Sequence, residues 1–490
     1  MRRINKVLAL PLALLLSVAL TGCSGGKSSQ GEKGVLYWWR VIGDAREETY
    51  EEIARNYSTS NNVEVKIVSK RPETYEQEVL AALAAHQSVE NAPDIISIPS
   101  EDLPRFVPQL TPAPDDLFDI NVSKKKQTGL SAVEYVKENF VPLVGKTAVL
   151  NNASGEAKLY GLPIVADSLA LYINQNMLLD IASEVQTNSR YTKDKTKDQI
   201  TELTKKIQSA PKTWLELAEI VPYITVKDGD TVTRSAIAMG TSKNTERSYD
   251  ILSTIMMQNG TQMTNSSMDT PTFNQSQTGA TSKSNPGEEA LKFYLRFSNP
   301  NDPLYSWNEQ MPNSVDAFMQ GQVAMIAHYS SLYVHLINEV PSMKKSIVAA
   351  PMPQISSGES ATGLQNQEVA GRADVFAVPS AKGNSDRQMA AWQFVRYLTS
   401  KEGSQIYISA TKMPSALKEV NKAKFNIFDE QKLIADTWYK GHKAMQVDQI
   451  FIQMIDDAYT GKKSVLDCLN TAGSDTATIL KASNSKWSQK

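Results

Sequence analysis

Hydrophobic and polar positions along this chain follow two periods in turn, and the switches between them mark successive elements. Val35 to Trp39, just after Gly34, is a short apolar, aromatic-rich run of the kind that forms a buried strand. Tyr50, Ile53, Ala54 and Tyr57 follow at helical spacing and define one face, and Asp44 with Glu47 three residues later has the arrangement of a capping box at that helix's start. Val63, Val65 and Ile67 alternate with polar residues, which reads as a second strand. "TYEQEVLAALAAHQ" is a helix by propensity and periodicity, and "PDIISIPS" is a third buried strand. Strand, helix, strand, helix, strand implies a parallel α/β sheet, whose ligands sit in the crevice beyond the carboxyl ends of the strands. Trp38, Trp39 and Arg40 stand at one such end, and Ser100 and Glu101 at another. Side chains alternate along a strand, so one tryptophan points to each side. At least one of the two is therefore expected to reach the crevice mouth.

The same pattern runs through most of the remaining chain. "KLYGLPIVADSLALYINQNML" passes from a turn into an apolar, strand-like run, and "PKTWLELAEIVPYIT" is a helix with Thr213 as N-cap and Glu216 three residues on. "SVDAFMQGQVAMIAHYSSLYVHL" reads as helix, glycine stop, then strand; "ADVFAVPSAKGNSDRQMAAWQFVRYLTSKEGSQIYIS" as strand, turn and one long amphipathic helix. Asp448 to Leu480 is helical by periodicity. Two polar stretches interrupt the pattern: Thr187 to Gln199 is charged and lacks aliphatic residues, and Thr261 to Gly287 contains no Val, Ile or Leu. Neither buries enough surface to offset the entropy of ordering, so both are expected to be surface loops. There is no internal repeat.

The N-terminus changes the picture of where the chain works. Arg2, Arg3 and Lys6 precede an apolar run from Val7 to Leu20 that is short for a membrane span and reads as an export signal. Its end, Leu20-Thr21-Gly22-Cys23, resembles the bacterial lipobox, in which the cysteine is diacylated at sulfur and becomes the acylated N-terminus after cleavage. Two or three acyl chains anchor a protein stably where one does not. Residues 24–34, "SGGKSSQGEKG", have the composition of a flexible tether with a reach of roughly 20 Å. Cys468 is the only other cysteine, so lipidation of Cys23 leaves no intramolecular disulfide and stability must come from the core. With 41% hydrophobic residues there is ample chain for two lobes. The near balance of 51 basic and 53 acidic residues gives no indication of a nucleic-acid partner. The four histidines, His86, His328, His335 and His442, form no H-E-x-x-H, and there is no G-x-S-x-G elbow. No catalytic residue, metal or cofactor is therefore assigned.

Seven fragments in order carry a family resemblance: "YWW…YEEIARNY", "APDIISIPS", "YGLPIVADSLALYIN", "PKTWLEL", "PTFN…GEEALKFYLRF", "AFMQGQVAMIAH" and "VFAVPSAKGNSDRQMAAWQFVRYLTSKEGSQIYI". Behind a lipobox, they resemble the extracellular solute-binding proteins of ABC importers, in the family that includes sugar-binding proteins. The resemblance covers most of the chain and weakens in the two polar stretches and around residues 115 to 150. It implies an α/β fold of two discontinuous lobes with a hinge and an interlobe cleft. The expected partition is 1–23 signal, 24–34 tether, 35–166 with 324–371 as one lobe, and 167–323 with 372–490 as the other. The first crossing is expected near "PIVADSLAL" and the second between "AMIAH" and "GRADVF".

The resemblance also directs attention to particular side chains. Asp167 stands where sugar-binding relatives carry a carboxylate, whose lone pairs suit vicinal hydroxyls; the other role open to it is a cap or hinge hydrogen bond. Trp38 and Trp39 offer flat faces for a pyranose, or else pack in the core. Arg40 either forks onto an anion or forms an ion pair, and Glu101, beside Ser100, either lines the cleft or caps the next helix. His328, Tyr329 and Ser330 replace the glycine and tryptophan of many relatives, and Gly371-Arg372 replaces a glycine pair. Trp307 and Trp438 are further aromatic candidates from the second lobe, whereas Trp214 is expected in the core. The aromatics and Asp167 favour a carbohydrate, and Arg40 and Arg372 tilt toward one bearing negative charge. The resemblance thus implies a monomeric, lipid-anchored protein on the outer face of the cell membrane. On that expectation it would capture a small solute without chemistry and deliver it to an ABC permease and, through it, to ATPase subunits. A surface-anchored glycoside hydrolase using a carboxylate pair, or a non-transport sensor or adhesin on the same fold, are the alternatives.

Overall fold

The computed structural model describes residues 34–41, 47–85, 91–121, 126–127, 129–229, 231–276, 285–355, 367–380, 385–419 and 427–485. Cys23, the tether up to residue 33, and the expected cap Asp44 lie outside the described residues. Two sheets organise the rest. In the first, strand Gly34–Val41 pairs in parallel with Val63–Lys70 on one side and Ile95–Pro99 on the other. Val369–Ala377 then joins antiparallel to Ile95–Pro99, and Leu162–Ser168 pairs with its other edge. In the second, Ala170–Asn174 runs antiparallel to both Val323–His328 and Ile347–Ala350, and Thr231–Ile237 extends the sheet beyond Val323–His328.

Helices cover both faces of the first sheet at its centre, so Gly34–Val41 and Ile95–Pro99 are largely apolar, whereas the edge strand Val63–Lys70 alternates apolar and polar residues. Helix Glu47–Ser60 buries Tyr50, Ile53, Ala54 and Tyr57, the four residues that the spacing picks out. Trp38 is fully buried, with its ring edge-to-face against Tyr50, Phe376 and Phe394 at 5.2–5.7 Å and its indole N–H donating to Ser97 Oγ at 2.8 Å. Trp39 points to the opposite face and is covered there too, donating to the Asn91 carbonyl at 2.9 Å with Lys70 Nζ 3.9 Å from its ring centroid. Alternation does send the two indoles to opposite sides. Because both sides are packed, neither reaches the crevice, and the expectation of a cleft tryptophan at 38 or 39 is corrected.

The chain passes between the sheets at Leu169, whose N–H donates to the Ala370 carbonyl at 2.8 Å and whose carbonyl accepts from Gln431 Nε2 at 3.2 Å. It returns between Ala350 and Val369. The expected lobe partition therefore needs correction on its C-terminal side. Segment 324–371 is divided: Val323–His328 and Ile347–Ala350 belong to the second sheet, and Val369–Ala377 to the first. The reason is pairing, since Val369–Ala377 fills the gap between Ile95–Pro99 and Leu162–Ser168. Segment 372–490 is divided as well. Helices Ser385–Leu398 and Lys401–Thr411 pack on Glu47–Ser60 of the first lobe, whereas Ala444–Tyr459 and Val465–Ser485 pack on Ser248–Gln258 and Pro286–Arg296 of the second.

Local signals account for three smaller differences. The single long helix expected after Ala377 is two, because the Ser400 hydroxyl accepts from Gly403 N–H at 3.2 Å and starts a new one. Thr187 to Gln199 is largely helical: Thr196 and Gln199 form a capping box that opens helix Lys197–Gln208, and Tyr191 buries its ring. Thr261 to Ser276 has no helix or strand, but Met263 and Phe273 are buried, so it is anchored rather than superficial. The Thr213 cap and the buried Trp214 are as expected.

Trp38 holds three aromatic neighbours from three separate segments, so its loss opens a cavity that they cannot close together. Trp38→Ala is expected to cost about 3–5 kcal/mol, read as a lower urea midpoint with an unchanged slope.

Candidate functional site

The carboxyl ends of the first sheet face the second lobe, and polar side chains converge there. Asp167, near the end of Leu162–Ser168, is wholly buried. Its carboxylate accepts from the Ser330 N–H at 3.0 Å, the Ser330 hydroxyl at 2.9 Å and the Ser168 N–H at 2.9 Å. Ser330 precedes helix Ser331–Glu339 of the second lobe, so the contact ties the lobes beside the Leu169 crossing. Burial raises the Asp167 carboxyl above the usual range, and Arg372 and the Ser330 donors offset part of that rise. Of the two roles open to it from sequence, the hinge bond is the one the geometry shows.

Arg372 lies opposite Asp167 in the strand pairing. Its guanidinium stacks 4.1 Å from the centroid of the buried Tyr329 ring and donates to Ser331 Oγ at 3.1 Å. Arg247 approaches the same ring at 5.4 Å and donates to Tyr249 Oη at 3.2 Å. Arg247 has a left-handed backbone, φ 61°, uncommon for a non-glycine residue, at the start of helix Ser248–Gln258. His328 pairs with Glu246 at 3.2 Å, and burial lowers its pKa below the usual value, with Glu246 offsetting part of the fall.

The densest charge lies one step further along the interface. Lys440, in the segment between strand Ala435–Asp436 of the first sheet and helix Ala444–Tyr459 of the second lobe, is buried. Its ammonium is 2.7 Å from Asp448 and 3.4 Å from Glu101, with Tyr249 and Trp438 ring centroids at 5.7 and 5.9 Å. The surrounding carboxylates raise its pKa despite burial. Three carboxyls beside it are pushed up by burial: Asp448, with Lys440 offsetting part of the rise; Asp102 to about 6, also raised by Glu101 and Asp448; and Asp250 to about 7, also raised by the same pair and partly offset by Lys440. Adjoining this cluster through Asp167 and Arg372 is an open cavity of about 780 Å³, lined also by Arg40, Tyr75, Ser331 and His335.

The sequence candidates thus divide. Glu101, Asp167, His328, Tyr329 and Arg372 come together at the lobe interface, and Ser100 sits beside Glu101 with its hydroxyl buried and without a hydrogen-bond partner among the described residues. Arg40 lines the cavity with its guanidinium 4.1 Å from the Tyr50 ring. Trp307 is corrected to core: it is fully buried and bonded to Asn244 at 3.2 Å. Gly371 is explained by packing, since a Cβ there would stand 2.8 Å from Ala435 Cβ and 3.1 Å from Leu143 Cδ2. Trp438 packs against Phe451 and Phe273 and reaches the site only at its edge. The residues missed from sequence are Asp102, Arg247, Tyr249, Asp250, Lys440 and Asp448. For Arg247, Tyr249, Asp250 and Lys440 the signal was "NTERSYD", which opens a helix, and the polar-aromatic "TWYKGHK" ahead of the last helices.

A family model described as bacterial extracellular solute-binding protein matches residues 52–433. The maltodextrin-binding protein of Bacillus subtilis (strain 168) is 27% identical over 195 residues, 39% of this chain and 40% of that protein, so the alignment spans well under two thirds of the relative's length. Among solved structures, the sugar-binding protein of Xanthomonas citri superposes with a TM-score of 0.67 at 17% identity, covering 93% of this chain and 100% of that one. The cyclic alpha-maltosyl-1,6-maltose binding protein of Arthrobacter globiformis gives a TM-score of 0.65 at 16% identity, covering 91% and 99%. A receptor of Streptomyces glaucescens, solved unliganded and with acarbose, gives 0.62 at 17%, covering 92% and 99%. At these identities the likeness establishes the two-lobe fold.

The raised carboxyls set a pH dependence. Asp250 and Asp102 bind protons more tightly in the folded chain than unfolded, so the folded state holds more protons between about pH 4 and 7. Their contribution to stability is therefore lost as pH rises through that window. Asp250→Asn is expected to flatten the decline and to raise Tm at pH 8 by about 2–4 °C, near 1 kcal/mol, in thermal melts from pH 5 to 8.

Proposed function

Because the chain belongs to the bacterial extracellular solute-binding proteins, we propose that it captures a carbohydrate between its lobes and passes it, unchanged, to an ABC permease. The observation that carries this reading is the interface itself. Two lobes joined by crossings at Leu169 and between Ala350 and Val369 enclose a gap lined by carboxylates, guanidinium groups and aromatic rings. Carboxylates and hydroxyls bond sugar hydroxyls, and rings that line the gap, such as Tyr75 and Tyr407, offer apolar surface to a sugar's C–H face. The names of similar proteins support a carbohydrate too, since those proteins bind maltodextrin, maltose or related sugars.

A solute held between the lobes stabilises the closed form because it touches both lobes there and only one when they part. In this reading Arg40 and Arg372 meet it from the first lobe and Ser331 and His335 from the second, with Glu101, Asp102, Arg247, Tyr249, Asp250 and Lys440 in the adjoining cluster. Asp167 holds the pivot. The protein would be exported and fixed to the outer face of the membrane through Cys23, with residues 24–34 as a spacer. No step of chemistry on the solute enters this reading, and no cofactor is required.

Thermal melts against a solute panel test it. A cognate sugar at about 100 times its dissociation constant adds about 2.7 kcal/mol and raises Tm by several degrees. Unchanged melting with every sugar, while amino acids or peptides shift it, would contradict carbohydrate capture.

A further inference from the structure

We propose that the cage around Lys440 selects a carbohydrate bearing a protonated amino group over its neutral or acidic counterpart, an inference that rests on the capture reading above. Three observations carry it. The first is that the site already holds a primary ammonium. Lys440 Nζ sits between Asp448 and Glu101, with Tyr249 and Trp438 ring faces within 6 Å, and this combination of carboxylate and aromatic is how proteins hold organic cations. The second is the charge balance once Lys440 is counted. Glu101 and Asp102 from the first lobe meet Asp250 and Asp448 from the second, so four carboxylates face two cations, Lys440 and Arg247, among the described residues. Burial raises three of these carboxyls, Asp102, Asp250 and Asp448, and the like charge of Glu101 beside them adds to the rise.

The third observation is that the arginines that suggested an acidic ligand are already engaged. Arg372 lies on Tyr329 and bonds Ser331, and Arg40 lies on Tyr50. A ligand carboxylate entering beside Asp448 and Asp250 would meet like charge from both lobes, whereas an ammonium would relieve it and draw the lobes together. Ser100 Oγ and Trp438 Nε1, both buried and without partners among the described residues, leave two polar groups for the sugar's oxygen atoms.

Calorimetric titration of the purified full-length protein at pH 7.5 tests this with matched sugars. The series are glucose, glucosamine and glucuronate, and maltose with its 6′-amino and 6′-carboxylate derivatives. The amino member of at least one series is expected to bind tenfold or more tightly than its counterparts. Glu101→Gln and Asp250→Asn, each checked for an intact melting transition, are expected to shrink that ratio toward one while the neutral sugar's affinity changes less. Tightest binding by the neutral or carboxylate member, or a ratio untouched in both variants, overturns the inference and leaves carbohydrate capture standing. Binding by none of the sugars, with no thermal shift from any carbohydrate, overturns both.

Discussion

A fully buried carboxylate cannot be left alone, and at Asp167 the requirement to satisfy one ties two lobes together. Its oxygens accept from the backbone and hydroxyl of Ser330 across the interface, with Arg372 opposite in the strand pairing. Two residues away the chain crosses between sheets at Leu169, pinned by Ala370 and Gln431. Each of these bonds is modest. Together they fix where helix Ser331–Glu339 begins, and so place Tyr329 beneath Arg372 and beside Arg247. The pivot is short, polar and buried.

What the pivot brings together is a site made from segments far apart in sequence. Glu101 and Asp102 follow a first-sheet strand, Arg247 to Asp250 open a helix of the second lobe, and Lys440 comes from the segment that leaves the first sheet for the last helices. No single lobe holds the cluster. Lys440 is paired with one carboxylate from each side, so lobe separation removes one of its partners and lets water reach the other. Such an interface is stable shut only while its charges are matched, which makes a bound solute's own charge part of the closing equilibrium.

Much of the fold was legible because it depends on local periodicity. The face formed by Tyr50, Ile53, Ala54 and Tyr57 follows from spacing alone, as does the Thr213 cap from its hydroxyl and the Glu216 N–H. Partner strands were not legible: nothing near Val369 says that it lies between strands that begin at 95 and 162. Trp38 and Trp39 show a related limit. Period two gives the side each faces, but layers on both sides of a parallel sheet come from distant helices, and these cover both rings. Glu101 and Tyr329 were found because they follow strands, and Arg372 because the family resemblance pointed to its position. Lys440 and Asp250 were not, since their importance arises only when the lobes meet.

Closure on a solute is what the proposed function requires of this arrangement, and small-angle scattering reads it directly. Scattering from the purified protein, alone and saturated with the sugar that raises its melting temperature most, should show a smaller radius of gyration and maximum dimension in the bound form. Full occupancy with superimposable scattering curves would contradict closure and leave Asp167 as an ordinary buried contact.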